Sequence, residues 1–179
     1  MSGPDGREPP MDREVRELIE LLQLRPHPEG GFYRETYRSD LIIPPDALPD
    51  RYRGPRCVCT AIYYLLTAGE VSALHRVASD EIWHFYAGDP LELLILEGKE
   101  ARLARLGSDL LSGEVPQVLV PAGAWQGARV AEGGKWSLVG CTVAPGFEFE
   151  DFELASPSLA DEFPEHRELI RRFMRGGGR

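Results

Sequence analysis

The chain is poor in cysteine. Its 179 residues contain three, Cys57, Cys59 and Cys141, an odd number that offers no disulfide framework and fits a reducing compartment. Cys57 and Cys59 read as small core residues of one strand. Cations are also short: 20 Lys plus Arg against 29 Asp plus Glu leave a net charge of -9. That argues against nucleic acid as a partner, because a polyanion demands clustered cations. No apolar run approaches the roughly 18 residues of a membrane span. Met1–Arg13 is polar and lacks the hydrophobic stretch of a secretory leader. No membrane role is therefore expected, and the expected location is cytoplasmic. Ser-His-Asp order, a Gly-rich phosphate loop and zinc-finger spacing are all missing.

What is present points to one β-rich domain. Hydrophobic residues at 42% and charged residues at 27% permit a sizeable core, and the length suits a single domain. Gly at 19 and Pro at 15 imply many turns. Residues 1–11 and 175–179 are expected to be disordered ends of a domain spanning 12–174. Val15, Leu18, Ile19 and Leu22 recur at helical spacing behind Asp12, a residue able to cap a helix, and Pro26 and Pro28 end the run. A second helix is expected from Pro164, with Leu169, Ile170, Phe173 and Met174 as its apolar stripe.

Between these helices lie strand-like runs: Phe32–Arg38, Cys57–Thr67, Val71–Val77, Glu81–Tyr86, Leu91–Glu97, Ala101–Leu106, Gln117–Val120, Trp125–Val130, Trp136–Val143 and Phe147–Leu154. Short strands with regular turn signals predict an all-β sandwich or barrel. A double-sheet jelly roll hides the strand edges. The absence of strand–helix alternation excludes a doubly wound α/β sheet. The loop over 43–56, with Pro44, Pro45, Pro49 and Pro55, is long enough to be a lid or a partner contact.

Gly69, His75, Val77, Glu81 and Gly88 follow a spacing that resembles the first motif of the cupin superfamily, Gly-x5-His-x-His-x3-Glu-x6-Gly, with Val77 in place of the second His. Pro121, Gly123 and Gln126 resemble the second motif, Pro-x-Gly-x2-His, with Gln126 in place of its His. A narrower resemblance covers about Leu18 to Phe173. It rests on His27-Pro-Glu-Gly-Gly-Phe-Tyr-Arg-Glu-Thr36, Ser72–Val77, Asp80–Pro90, Trp125-Gln126 and Ala144–Phe152. These resemble a single-domain branch of cupins of unassigned function, related in fold to the dTDP-sugar 3,5-epimerases and typically dimeric. The resemblance implies a double-stranded β-helix with flanking N- and C-terminal helices, and a homodimer. It does not imply an activity.

Alternation along strands places His75 and Val77 on one face, and Glu81, Trp83 and Phe85 on another. In cupin topology these positions face the barrel, where Gln126 would join them. His75 is then the candidate base, Glu81 its acid partner or orienter, and Gln126 a donor to a substrate oxygen. Trp83, Phe85, Tyr33, Glu35, Tyr37, His84 and Trp125 are candidate substrate contacts. His27 reads as a turn residue. A cupin metal centre has three His and one Glu. Here only His75, Glu81 and Gln126 could ligate, with His84 joining if a bulge breaks strand alternation. No cofactor is therefore expected beyond a weakly held divalent metal. The expected function is a small-molecule site, either a metal-independent isomerase or epimerase on a sugar-like or small polar compound, or a non-catalytic binding or sensing module. A metal-dependent cupin enzyme is the third possibility.

Overall fold

The computed structural model describes residues 12–174, so the expected disordered ends, 1–11 and 175–179, lie outside the described residues. The chain opens with helix α1, Arg13–Leu21, whose Asp12 side chain accepts a hydrogen bond from the Glu14 N–H at 3.0 Å. This satisfies one of the donors that every helix start leaves open. Strands β1 (Arg25–Pro26), β2 (Phe32–Arg38), β3 (Ile42–Ile43), β4 (Arg56–Cys57), β5 (Thr60–Thr67), β6 (Val71–Arg76) and β7 (Asp80–Gly88) follow. After them come β8 (Leu91–Glu97), β9 (Glu100–Leu106), β10 (Gln117–Val120), β11 (Trp125–Val130), β12 (Trp136–Ala144) and β13 (Glu153–Leu154). Helices α2 (Leu159–Glu162) and α3 (Arg167–Arg171) end the described chain, with Pro164 in the first turn of a short 3-10 segment between them.

Two antiparallel sheets face each other. One has six strands in the order β1-β2-β5-β12-β7-β10, the other five in the order β13-β6-β11-β8-β9. Their inner faces meet in a core that includes Tyr64, Leu66, Trp83, Val139 and Cys141 from one sheet and Leu91, Leu93, Ile95, Ala128 and Val130 from the other. This alternation of inward apolar and outward polar residues is what the jelly roll requires. The outer face of the six-stranded sheet is covered at one end by α1, whose Val15 packs on Leu65 and Leu24. The outer face of the five-stranded sheet is covered by α2 and α3, through Leu159, Ile170 and Phe173 against Leu74, Leu94 and Leu96. Phe173 is fully buried, a contribution of about 1.5–3 kcal/mol from hydrophobic transfer alone.

Three expectations fail, for physical reasons. The run Phe147–Leu154 is not one strand. It forms a 3-10 turn over Phe149–Asp151 and pairs as β13 only at Glu153–Leu154, because two buried or half-buried arginines described below pull its acidic residues down. Strand β6 does not alternate simply: Gln126 pairs with His75 but Ala128 pairs with Ser72, so β6 carries one extra residue. This bulge brings Ser72 to the same face as His75. Strand β2 also bulges, at Thr36, since Glu35 pairs with Ile62 and Tyr37 with Ala61. Tyr37 is thereby turned outward, 55% exposed, and Arg38 takes the inward place.

Candidate functional site

A cavity of about 260 Å³ opens between the sheets at the end where β2, β5 and β12 meet β6 and β7. Its floor holds His75, Glu81, Glu29 and Cys141. Its walls hold His27, Tyr33, Ile62 and Val77, and its rim Arg25, Glu35 and Arg38. A cover is formed by Phe147, Glu148, Phe149 and Phe152.

The floor is organised by Glu29, which sits in the turn after β1. That turn is closed by the His27 N–H to Gly31 carbonyl bond at 2.9 Å and the Gly30 N–H to His27 carbonyl bond at 3.0 Å. Gly30 has φ of +112°, and a Cβ there would lie 2.2 Å from the Val71 carbonyl oxygen, so only glycine fits. The Tyr64 hydroxyl donates to the Gly30 carbonyl at 2.6 Å and locks the turn. Glu29 is buried, and its Oε1 accepts from the Ser72 hydroxyl at 2.7 Å. Its Oε2 lies 3.2 Å from His75 Nε2. The β6 bulge is what lets Ser72 and His75 reach the same carboxylate.

The two imidazoles of the site have opposite tautomers, fixed by their backbone partners. His75 Nδ1 lies 2.8 Å from the Ala73 carbonyl oxygen, which can only accept, so Nδ1 carries a proton. Any further proton is then held between His75 Nε2 and Glu29 Oε2. His27 Nδ1 accepts the Glu29 backbone N–H at 3.2 Å, so its own proton sits on Nε2. The 3.7 Å approach of the same Nδ1 to Glu29 Oε2 is therefore not an ion pair. Burial lowers the His27 pKa, with Glu29 opposing and His75 and Arg25 reinforcing the shift, which favours the neutral ring. Tyr33, Tyr64, Phe149 and Phe152 surround that ring at centroid distances of 4.5 to 6.2 Å.

Glu81 is held differently. Its Oε2 accepts from the Gln126 amide, and the Gln126 carboxamide oxygen accepts from the Trp83 indole N–H at 2.7 Å. Burial pushes the Glu81 carboxyl above its usual range. The His75 charge opposes this, the Glu29 charge adds to it, and the hydrogen bonds from Gln126 and Cys141 oppose it. Burial also pushes the Cys141 thiol well above the ordinary thiol range.

The cover is pinned by two arginines. Arg38 donates to both Glu35 oxygens at 3.0 and 2.9 Å, to Glu148 at 2.6 Å and to the Phe147 carbonyl at 3.1 Å. Arg56, buried, makes a two-pronged pair with Asp151 at 2.8 and 2.6 Å and reaches Glu150 at 2.8 Å.

Of the residues expected from the sequence, the structure brings His75, Glu81, Tyr33 and Glu35 to the cavity. It places the others elsewhere. Gln126 is fully buried between Trp83 and Glu81, so its amide is spent on protein groups and does not face a ligand. Trp83 and Phe85 lie deeper in the inter-sheet core. Trp125 is on the outer face of its sheet, under the Arg76 guanidinium at 4.5 Å and against the cluster of the C-terminal helices. His84 faces outward, 3.0 Å from the Thr142 hydroxyl and 3.1 Å from the Gln117 amide, because the β7 irregularity falls after it. Tyr37 is turned out by the β2 bulge. Glu29, His27, Ser72 and Arg38 were missed as site residues. The signal for the first two was the His-x-Glu-Gly-Gly run, in which a double glycine directly after an acid marks a tight turn.

The donor set does not fit a three-His, one-Glu metal centre. Val77 presents hydrocarbon, both ends of the Gln126 carboxamide are committed, and His75 Nε2 is turned to Glu29. Among the described residues no three His, Cys, Asp or Glu side chains converge in a way that would hold a metal.

Residues 16–155 match the family described as Cupin_5, Cupin superfamily (DUF985). The chain is 29% identical over 153 residues to the uncharacterized protein YML079W of Saccharomyces cerevisiae, covering 80% of this chain and 75% of that protein. It superposes on the crystal structure of protein SO0799 from Shewanella oneidensis with a TM-score of 0.80 and 40% identity, over 90% of this chain and 97% of that one. A hypothetical protein from Leishmania major gives a TM-score of 0.80 at 35% identity, over 89% and 98% of the two chains. Oxalate decarboxylase from Bacillus subtilis shares the fold alone, at a TM-score of 0.51 and 16% identity, over 75% of this chain and 30% of that one. Among the described residues no helix is long and apolar enough to cross a membrane.

Proposed function

This chain belongs to the DUF985 branch of the cupin superfamily, and from that premise we propose that its cavity binds a small polar, sugar-like compound and isomerises or epimerises it by acid–base chemistry. The observation that carries the reading is the His75 Nε2–Glu29 Oε2 pair, 3.2 Å apart at the floor of a cavity that also receives Glu81. Epimerisation needs one group to take a proton from carbon and a second to return one. His75 Nε2 and the Glu29 carboxylate act together as the base, the proton taken from carbon coming to rest between them; Glu81, whose neutral form burial favours, is the acid. The cavity volume, below the 300–1,000 Å³ or so of drug-sized sites, limits the occupant to a small molecule. The aromatic cover supplies apolar faces for a sugar ring.

The test is conversion of a panel of aldoses, ketoses and hydroxy acids followed by NMR, with a thermal-shift screen of the same panel. Conversion that vanishes in His75→Gln supports the reading. Compounds that bind and stay unchanged would instead assign a non-catalytic binding or sensing module. The homodimer is likewise proposed, on the uncovered half of the six-stranded sheet, where Tyr37, Tyr86 and Leu119 are 50–55% exposed. Light scattering of the full chain checks it.

A further inference from the structure

The cavity carries one polar side chain that is built in and left without a partner. His27 has a side chain only 7% exposed, its Nδ1 is used by the Glu29 N–H, and its Nε2–H has no protein acceptor among the described residues. His27 lines the cavity, so this N–H is offered to whatever enters it. Beside it stands Arg25, in β1 just before it. Both groups use one ring: His27 meets Tyr33 edge-on at 4.5 Å, and the Arg25 guanidinium lies 5.0 Å over it. Arg25 has no carboxylate partner among the described residues. The other guanidinium of the cavity, Arg38, is saturated by Glu35, Glu148 and the Phe147 carbonyl.

We propose that Arg25 and the His27 Nε2–H together form an anion subsite, so that the ligand is a small organic anion whose acidic oxygens lie against β1 and whose carbon skeleton reaches toward His75. The acidic residues of the cavity are engaged by donors of their own. Glu35 and Glu148 share the single guanidinium of Arg38, Glu29 is bonded to Ser72 and His75, and Glu81 accepts from Gln126. A planar carboxylate and a phosphate offer the same oxygens to this pair of donors.

The inference rests on the reading of this cavity as a sugar-like site, and the test separates the two. Binding of D-glucuronate, D-glucose 6-phosphate and D-glucose to the full chain is measured by calorimetry, for wild type, Arg25→Gln, Arg25→Lys and His27→Gln. Arg25 is on the surface, so its variants keep the proposal testable if His27→Gln folds poorly. Wild type is expected to prefer at least one anion over glucose by ~10-fold or more, as charge-assisted hydrogen bonds do. Arg25→Gln should bring that preference to within about 2-fold and Arg25→Lys should keep part of it. Glucose binding as well as both anions overturns the anion subsite and leaves the sugar-like reading standing. An anion preference that Arg25→Gln does not change also overturns it. Failure of all three compounds to bind overturns both.

Discussion

His75 and Glu29 share the floor of the cavity with Nε2 and Oε2 3.2 Å apart, while the other ring nitrogen of His75 is pinned 2.8 Å from the Ala73 carbonyl oxygen. The orienter of the histidine is thus a carboxylate 46 positions away in the chain, not the nearby Glu81. Whenever His75 is neutral, its single proton must be on Nδ1. Long-range ¹⁵N NMR of the imidazole in a histidine-labelled sample reads this directly. An Nε2–H tautomer would contradict the arrangement.

Glu81 makes stability depend on pH. Its folded-state pKa is raised by burial, so the neutral form is the one the fold prefers. That contribution is complete below the unfolded value near 4.5 and is lost as pH rises through the raised folded value. Glu81→Gln keeps an acceptor for Gln126 and does not ionise. Its melting temperature relative to wild type should therefore rise between pH 5 and pH 8. A difference that stays flat over this range would mean that Glu81 ionises as freely as in water.

Gln126 is structural in this account. Replacing it by Leu strands the Trp83 N–H and leaves Glu81 without its amide donor, both in the interior. Urea unfolding should show a loss of about 2–4 kcal/mol, one unsatisfied buried group costing about 1–3. A near-neutral result would return Gln126 to the role of a ligand contact.

The two arginines that hold the cavity cover should differ sharply. Arg56 and Asp151 have side chains 1% and 4% exposed, and removing one member of a buried pair costs about 3–5 kcal/mol. Arg38 and Glu148 are 39% and 40% exposed, so solvent screening leaves Arg38→Ala at about 1 kcal/mol or less. Denaturant unfolding of Arg56→Ala and Arg38→Ala compares them. Amide exchange over Phe147–Phe152 should accelerate in both.

The jelly roll was legible because turns and strand periodicity are local, and because the spacing from Gly69 to Gly88 survives the replacement of one ligand position, Val77. His75 and Glu81 followed from the same spacing. The rest of the site depends on bulges, which add a residue to one strand only where a partner strand demands it. Simple alternation would put Ser72 opposite His75, Tyr37 inside and Arg38 outside, each the reverse of what the registers show. Trp83 and Phe85 were misplaced because apolar residues facing a barrel fill its packed core as readily as its open end, and Trp125 because it faces the other way, toward Arg76 and the C-terminal helices. His27 and Glu29 belong to a turn, and which way a turn's side chains point is set by the carbonyl of Val71 and the hydroxyl of Tyr64, far along the chain.

Proton exchange with solvent tests the acid–base account most directly. Wild type and His75→Gln are incubated in D₂O with each compound that the thermal-shift screen finds to bind, and deuterium at carbon is followed by NMR. Wild type should wash deuterium into at least one bound compound, and His75→Gln should slow this by ~100-fold or more, the lower end of general-base contributions. Binding with no deuterium incorporation by wild type, or equal incorporation by the variant, would contradict it.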